Sequence, residues 1–363
     1  MTPREKELMD LIRENPQISQ ADLAEKLKIK RSSVAAHIRN LTEKGEILGR
    51  GYLLRTEDYI TVVGGANMDI RGLPQGTFVL EDSNPGQVQT SPGGVGRNIG
   101  ENLARLGLQV SMVCVLGEDL WARELMETGE SLGLSFKEAI VIPGEQTPIY
   151  LEILNDQKEM LAAINQMNLV DRLSPDLLEG KKNTLTNAKY LVLDCNLKRE
   201  SLAYLFQLGH ERVVVDGVSM AKVTKIQDCL DRIYLLKVNH HEAGELAGTK
   251  IQSPEDVERV GRILMEDGPR YLVITCGKEG AWGFDGDQVL HVKTKEIKAK
   301  NATGAGDAFT AGLIYGFFQD LDFESCLYLG QGASALALHS EKTNAEDLSK
   351  EKLIETTKEI CNG

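Results

Sequence analysis

The feature that most constrains the fold of this sequence is a set of short apolar strands, each of which ends in a polar residue. Three of them cover residues 191–194, 213–216 and 234–239. Such runs are typical of strands that are covered on both faces, and here they alternate with stretches of helical periodicity. The sequence therefore predicts an α/β fold with a mostly parallel sheet and helices on both of its faces.

Glycine turns and polar side chains follow the first predicted strand of this sheet. The strand at 59–63 ends in two glycines, and another glycine pair at 93–94 precedes a helix. Ligands of α/β sheets bind at the carboxyl ends of strands, and carboxylate or amide groups beside a glycine turn suit vicinal sugar hydroxyls. An Asx-type turn is the alternative explanation. The predicted ligand-binding residues are Asn67, Asp69, Gly93, Gly94 and Asn98.

Another glycine-rich turn, Gly304-Ala305-Gly306, opens a predicted helix near the end of the chain. Backbone N–H groups and the helix dipole would converge there, so the turn suits an anion such as a phosphoryl group. Asp307 beside it would act as a base that takes a proton from an attacking hydroxyl. The alternative is an ordinary helix N-terminus in which Asp307 complements the dipole.

Asn239 and Glu242 lie three positions apart at a strand-to-helix junction, where they share one face. A carboxylate and an amide could hold water around Mg²⁺, which prefers oxygen ligands. The alternative is a helix N-cap with a first-turn acid. The intervening His240 and His241 are discounted as metal ligands because adjacent residues point apart.

A nucleotide-binding turn is predicted between the strand at 270–275 and a second short strand at 281–284. Gly277 and Gly280 lie three apart in this turn. The sequence carries neither the P-loop pattern nor a dinucleotide fingerprint after its first strand.

Charge divides the chain into two parts. Residues 1–58 carry 11 Lys and Arg against 10 Asp and Glu, whereas residues 59–363 carry 30 against 44, which gives the net charge of −13. The six cysteines are scattered without a Cys-x-x-Cys pair, which indicates reduced thiols and a cytoplasmic protein. No run of 18 apolar residues and no apolar signal core occurs, so no membrane span is expected.

The first part has the pattern of three short helices and a β wing. A helix is predicted over 3–14, a second begins with a capping pattern at Ser19, and Ser32 or Ser33 caps a third that ends at Gly45. Residues 47–54 alternate around a glycine turn, as a two-stranded wing would.

This pattern resembles a winged helix-turn-helix module of bacterial regulators over residues 1–56. The resemblance implies that the third helix enters the DNA major groove. Lys30, Arg39, Lys44 and Arg50 would meet phosphates. The near-neutral total favours the alternative, a small accessory domain for dimerisation or protein contact. The residues of the third helix expected to face DNA are Arg31, Ser32, Ser33, His37, Arg39 and Asn40.

The four motifs of residues 59–363 together resemble the ribokinase-like (PfkB) carbohydrate and nucleoside kinases. The resemblance implies a three-layer α/β sandwich with a small β lid, whose substrates include ATP and a sugar or nucleoside. Asp307 would be the base and residues 304–306 the anion hole. Glu242 would hold Mg²⁺ through water. The resemblance assigns Asn67, Asp69, Gly93, Gly94 and Asn98 to the substrate and Asn239, Thr275, Gly277 and Gly280 to the nucleotide.

One departure from the family pattern concerns a monovalent cation. Asn301-Ala302 stands where the family more often has Asp-Thr, and that Asp is tied to a cation site in several members. Activation by K⁺ is therefore uncertain.

The stretch 82–98 looks most like the pseudouridine kinases. We expect phosphorylation of a 5′-hydroxyl, with Asn165 at the end of a strand contacting the base. The alternatives are a kinase of another nucleoside or of a free sugar such as ribose or fructose, and a ligand-sensing regulator that only binds. A homodimer is also expected.

Overall fold

The structure, a computed structural model, describes residues 1–49, 58–266, 268–286, 288–294, 297 and 299–361. These residues form two units. One contains residues 1–58 together with 182–188, and the other contains 59–181 together with 189–363. Within the described ranges, no helix is long and apolar enough to cross a membrane.

The described residues contain fourteen α-helices. They are α1 (Pro3–Glu14), α2 (Gln20–Lys26), α3 (Arg31–Glu43), α4 (Val95–Arg105), α5 (Leu120–Ser131), α6 (Pro175–Glu179), α7 (Lys182–Thr186), α8 (Arg199–Gln207), α9 (Met220–Val223), α10 (His240–Leu246), α11 (Pro254–Met265), α12 (Ala305–Phe318), α13 (Phe323–His339) and α14 (Lys350–Cys361). Three 3-10 helices cover Asn168–Arg172, Thr224–Arg232 and Gly277–Glu279.

The same residues contain fifteen strands. They are β1 (Tyr59–Val63), β2 (Asn67–Pro74), β3 (Gly86–Gly93), β4 (Gln109–Val113), β5 (Val115–Gly117), β6 (Leu134–Ser135), β7 (Ile140–Ile142), β8 (Ile149–Leu154), β9 (Met160–Gln166), β10 (Tyr190–Asp194), β11 (Val213–Asp216), β12 (Leu235–Asn239), β13 (Tyr271–Thr275), β14 (Ala281–Asp285) and β15 (Gln288–Val292).

The N-terminal unit packs α1, α2 and α3 around a small apolar core that includes Leu8, Val34 and Leu41. Thr2 caps α1 reciprocally with Glu5, and the side chain of Ser19 accepts from Asp22 at the start of α2. The predicted cap of α3 was wrong, because the helix already begins at Arg31 and Lys30 precedes it without a side-chain cap. Most of the predicted wing lies outside the described residues, including Arg50.

A nine-stranded sheet organises the large unit, in the order β15-β14-β13-β12-β11-β10-β1-β4-β6. The seven strands β13, β12, β11, β10, β1, β4 and β6, which are neighbours in this order, run parallel to one another. Strands β14 and β15 add an antiparallel edge next to β13. Helices α4, α12 and α13 share one apolar cluster with residues such as Val62 and Val192 of the sheet. Helices α10 and α11 pack on β12, β13 and β14. The predicted parallel sheet is confirmed.

A separate four-stranded sheet forms the lid, in the order β3-β2-β8-β9. Because residues 78–91 lack helical periodicity, the sequence predicts two short strands over the site here. The stretch contributes only β3, and a turn at residues 80 and 81 precedes it. Because Asn84 binds the backbone N–H and carbonyl of Val79, the segment before β3 closes on itself instead of extending.

Candidate active site

The carboxyl edge of the parallel sheet is lined by polar residues at the ends of successive strands. Asp194 of β10 is in register with Asp216 of β11, and Asp216 is in register with Lys237 of β12. At the next pair, Asn239 is in register with Thr275 of β13. The apolar strands therefore bring three charged side chains together at the edge where α/β folds bind ligands.

Asp194 ties the glycine turn after β1 to the glycine turn before α4. Its Oδ2 accepts from the backbone N–H groups of Gly65 and Gly96, each at 2.8 Å, and its Oδ1 accepts from Asn196 at 2.8 Å. A Cβ on Gly64 would lie 2.3 Å from that Oδ2, so only glycine leaves room for the carboxylate. Burial raises the pKa of Asp194, and the backbone hydrogen bonds act in the opposite direction.

The turn before α12 has the geometry of an anion-binding site. Gly304 caps the helix with φ of 84°, and a Cβ there would lie 2.2 Å from the carbonyl oxygen of Thr343. A Cβ on Gly306 would lie 3.0 Å from the Nζ of Lys237. An ammonium group therefore lies beside the first turn of a fourteen-residue helix, where the helix dipole is also positive.

Asp307 lies in this first turn and is half-buried. Its Oδ2 accepts a 2.8 Å hydrogen bond from the side-chain amide of Asn98 on α4. Burial and the nearby carboxylate of Asp216 raise the pKa of Asp307 from 3.8 to about 7. The hydrogen bond from Asn98 and the positive charge of Lys237 oppose this rise without cancelling it. A carboxylate with a pKa near neutrality is suited to accept a proton from a hydroxyl.

A buried arginine fixes the orientation of the Asn98 amide. Arg97 Nη1 donates to Asn98 Oδ1 at 3.1 Å and to the carbonyl of Pro92 at 3.1 Å. Its Nη2 donates to Glu101, which also accepts from Arg105 Nε at 2.8 Å. Because an arginine only donates, Oδ1 of Asn98 must face Arg97, and the amide nitrogen then faces Asp307.

Lys237 and Asp216 form a buried ion pair behind the turn. Lys237 Nζ lies 3.2 Å from Asp216 Oδ2, and the same oxygen accepts from Thr310 Oγ1 at 2.8 Å. Burial lowers the pKa of Lys237, but the carboxylates of Asp216 and Glu242 outweigh it, so the pKa lies above its ordinary value. Lys237 is therefore a fixed positive charge beside the turn that precedes α12.

Asn239 and Glu242 form a reciprocal capping box at the start of α10. Asn239 Oδ1 accepts from Glu242 N at 3.0 Å, and Glu242 accepts from the backbone N and the side-chain amide of Asn239 at 2.9 and 2.6 Å. The helix-cap alternative is thus realised. Glu242 Oε2 also faces Gly217, where a Cβ would lie 2.7 Å away. Burial raises the pKa of the Glu242 carboxyl.

This donor set fits a divalent ion that keeps most of its water. Within the described ranges, no three His, Cys, Asp or Glu side chains are grouped to enclose a metal. Mg²⁺ needs no such cage, because one or two carboxylates, waters and phosphate oxygens satisfy it. Glu242 and Asp216 lie on the carboxyl edge where such an ion would sit.

Asn67 and Asp69 begin the first lid strand, opposite the glycines that precede α4. Asn67 is buried, and its amide donates to Asp69 Oδ1 at 2.6 Å. A Cβ on Gly93 would lie 2.4 Å from Asp69 Oδ2, so this carboxylate needs the glycine. Asn165 lies on the exposed edge strand β9. It is in register with Tyr150 of β8, which is in turn in register with Asp69 of β2.

The turn between β13 and β14 contains Gly277 and Gly280, both with positive φ. Gly280 requires glycine, because a Cβ would lie 2.1 Å from the carbonyl oxygen of Val292. Thr275 lies at the end of β13 beside Asn239. The predicted turn is therefore present, and it borders the same edge of the sheet.

On the N-terminal unit, the residues predicted to face DNA lie on α3. Arg31, Ser32, Arg39 and Asn40 are exposed, whereas Ser33 and His37 are half-buried. Among the described residues, the Nδ1 of His37 is buried without a hydrogen-bond partner. The exposed face of α3 is thus polar and basic at Arg31 and Arg39.

Sequence reasoning missed Lys237, Asp216, Asp194 and Arg97. A signal existed for Lys237, because a charged residue inside an otherwise apolar strand has to meet a buried partner. The sequence shows that β10 and β11 end in Asp194 and Asp216, but it does not show where these side chains point. No sequence signal linked Arg97 to the orientation of Asn98.

The sequence matches two protein-family models and is similar to several known proteins. A model described as pfkB family carbohydrate kinase matches residues 57–350, and a model described as winged helix-turn-helix DNA-binding matches residues 1–47. The chain is 36% identical to the uncharacterized sugar kinase YeiI of Escherichia coli (strain K12) over 98% of both chains. It is also 36% identical to the pseudouridine kinase of that organism, over 83% of this chain and 97% of the relative.

A solved carbohydrate kinase from Agrobacterium tumefaciens is similar in structure. It superposes with a TM-score of 0.74 at 26% identity, and the match covers 83% of this chain and 97% of that one.

Proposed function

The chain belongs to the pfkB family of carbohydrate kinases, and from that premise we propose that it transfers the γ-phosphoryl group of ATP to the 5′-hydroxyl of pseudouridine. Its large unit is a ribokinase-like α/β sandwich, preceded by a winged helix-turn-helix domain. The chain is a sugar or nucleoside kinase, a phosphotransferase that acts on a hydroxyl group. Kinases of this family use ATP and a divalent metal ion.

The observation that carries the chemistry is the position of Asp307 in the first turn of α12. In the proposed reaction its carboxylate takes the proton of the 5′-hydroxyl as that oxygen attacks the γ-phosphorus of ATP. The bond from the γ-phosphorus to the bridging oxygen breaks, and ADP leaves. The backbone N–H groups of residues 304–306 and the ammonium of Lys237 would stabilise the charge on the transferring group.

The proposed roles of the other residues follow from their places around Asp307. Asn98 would hold the hydroxyl-bearing substrate together with Asn67, Asp69, Gly93 and Gly94. The turn of Thr275, Gly277 and Gly280 and the Asn239 side chain would contact the nucleotide. Glu242 would hold Mg²⁺ through water, with Asp216 close by; the ion supplies charge neutralisation on the phosphates when bound. Because Asn301 is neutral, activation by K⁺ is not part of the proposal.

Pseudouridine is proposed because a relative named pseudouridine kinase is 36% identical over nearly its whole length. The 82–98 stretch, with its Asn-Pro-Gly and Gly-Gly-Val-Gly-Arg-Asn segments, supports the same substrate. The rival is a kinase of another nucleoside or of ribose or fructose, since another relative is named only as a sugar kinase.

The test is a turnover assay with ATP and a panel of pseudouridine, uridine, ribose and fructose. Pseudouridine should have the highest kcat/KM. Asp307→Asn should lower kcat by about 10²- to 10⁴-fold while binding changes little, because general-base loss has that size. A panel led by ribose or fructose would refute the nucleoside proposal, and a variant with wild-type kcat would refute the role of Asp307.

A second proposed function is DNA binding by α3, which exposes Arg31 and Arg39. A regulator that only senses its ligand would not need the base, so retention of Asp307 favours an active kinase. The expected homodimer also stays a prediction, and sedimentation of the full chain at several concentrations tests it.

A further inference from the structure

The lid face that carries Asp69 also carries an ion pair to which the proposed reaction gives no role. Two positions along β2 from Asp69, Arg71 is in register with Glu152 of β8. Side chains two positions apart on a strand project from the same face of a sheet. Asp69, Arg71 and Glu152 therefore share one face of the lid.

Arg71 and Glu152 each use a single side-chain atom to form the ion pair. Arg71 Nε donates to Glu152 Oε1, and the side chains are 35% and 17% exposed. Among the residues that the structure describes, the terminal nitrogens of Arg71 and Oε2 of Glu152 make no other hydrogen bond. The pair thus offers a set of donors and an acceptor, held side by side.

The charges of the pair reach the proposed sugar-binding carboxylate. Burial raises the pKa of Asp69; the carboxylate of Glu152 adds to this rise, and the guanidinium of Arg71 opposes it. The pair therefore lies close enough to Asp69 to influence a ligand bound there.

The direction in which a nucleoside would lie follows from the order of residues on β2. Asn67 is opposite Gly93, next to the helix that carries Asn98, whose amide contacts Asp307. Arg71 lies about 7 Å beyond Asp69 in the other direction. A nucleoside whose 5′-hydroxyl faces Asp307 and whose ribose hydroxyls bind Asp69 would place its base toward Arg71 and Glu152.

We propose that Arg71 and Glu152 recognise the edge of the base and so select a nucleoside over a free sugar; the inference rests on the proposed function. The guanidinium donates to a ring carbonyl, and the carboxylate accepts from the neighbouring ring N–H. A uracil ring has this alternation of carbonyl and N–H groups. Ala163 lies opposite Glu152 on β9, so the residue across from the carboxylate is small.

The first experiment compares kcat/KM for pseudouridine and for ribose in Glu152→Gln and Arg71→Gln. A lost charged hydrogen bond typically reduces affinity about 10- to 100-fold, so pseudouridine should lose that factor and ribose about none. Glu145→Gln is the matched control, because Glu145 pairs with Arg172 at 3.3 Å outside the four lid strands. Equal losses for both substrates, or no loss for pseudouridine, would overturn the inference.

Two further measurements separate recognition from a structural role. In the double variant Arg71→Glu with Glu152→Arg, the ion pair is retained but donors and acceptor are exchanged. Restored selectivity for pseudouridine would mean that the pair only holds the lid together. The wild type should also discriminate against pseudouridine methylated on its ring nitrogens, and Glu152→Gln should lose part of that discrimination.

The proposed function has its own readout in this design. If the wild type phosphorylates no nucleoside, the proposed function has failed whatever the variants do. If it phosphorylates pseudouridine and the variants keep the wild-type ratio of pseudouridine to ribose, only the lid inference has failed.

Discussion

The side-chain amide of Asn98 donates a 2.8 Å hydrogen bond to the carboxylate of Asp307, although the two residues are 209 positions apart. The bond joins the helix after the glycine pair to the helix after the Gly304 turn. It also opposes the rise in the pKa of Asp307 that burial causes. The proposed substrate-binding motif and the proposed base are therefore electrostatically linked.

Wild-type activity should depend on the ionisation of Asp307. Because its pKa is about 7, the carboxyl is protonated below that pH and cannot accept a proton. We expect kcat/KM to fall about tenfold per unit below pH 7 and to level off above it, since kcat/KM reports the free enzyme. A plateau that already extends down to pH 5 would contradict this assignment.

Arg97→Lys should shift this pH profile to higher pH. Lysine keeps the positive charge but not the forked donors that fix Asn98, so the hydrogen bond that lowers the pKa of Asp307 would weaken. The pH profile of kcat/KM measures the shift. Arg105→Lys is the control, because Arg105 contacts Glu101 without contacting Asn98. A purely structural role of Arg97 would lower stability and leave the apparent pKa in place.

Asp307→Asn should make the protein more stable at pH 8 than the wild type. The folded-state pKa lies above the ordinary 3.8, so folding is penalised as the pH rises from about 4 to 7 and the full cost persists above. The isosteric amide removes that cost and can still accept from Asn98. Thermal unfolding at pH 8 and pH 4.5 tests this, and a gain in Tm that is equal at both would contradict it.

Gly304→Ala should damage the proposed anion-binding turn. Its φ of 84° is strained for alanine by about 1–3 kcal/mol. The new Cβ would also meet the carbonyl of Thr343 at 2.2 Å. Gly107→Ala separates the two effects, because φ there is 82° and no atom lies within 4 Å. We expect a lower Tm in both variants and a lower kcat only in Gly304→Ala; unchanged kcat would remove the turn from the proposed mechanism.

Arg31→Ala combined with Arg39→Ala should weaken DNA binding. The slope of log K against log salt concentration should also become shallower, by about the amount that one to two phosphate contacts contribute. Gel shifts at two salt concentrations, on DNA upstream of the coding region and on a random library, measure both effects. Arg4→Ala with Arg13→Ala removes the same charge from α1 and serves as the control. If the wild type shows no salt-dependent binding, the first unit is an accessory domain.

The sequence by itself determined the helices, the parallel strands and the glycine turns of this protein. Burial on both faces requires continuous apolar runs, as in β11, and an αL residue at a helix terminus favours glycine, as at Gly304. These are local demands, so local patterns reveal them. The prediction for the start of α3 was wrong because Ser32 and Ser33 are both typical N-cap residues. The actual N-cap is Lys30, whose side chain makes no capping hydrogen bond.

Only the tertiary structure decided which polar residues meet. Strand register placed Lys237 beside Asp216, and packing of α4 against α12 brought Asn98 to Asp307. The lid pairing put Glu152 on the face of Asp69, and the hydrogen bonds between Asn84 and Val79 left one strand where two were expected. Distances between residues far apart in the chain depend on the packing of whole elements, and no local periodicity encodes them.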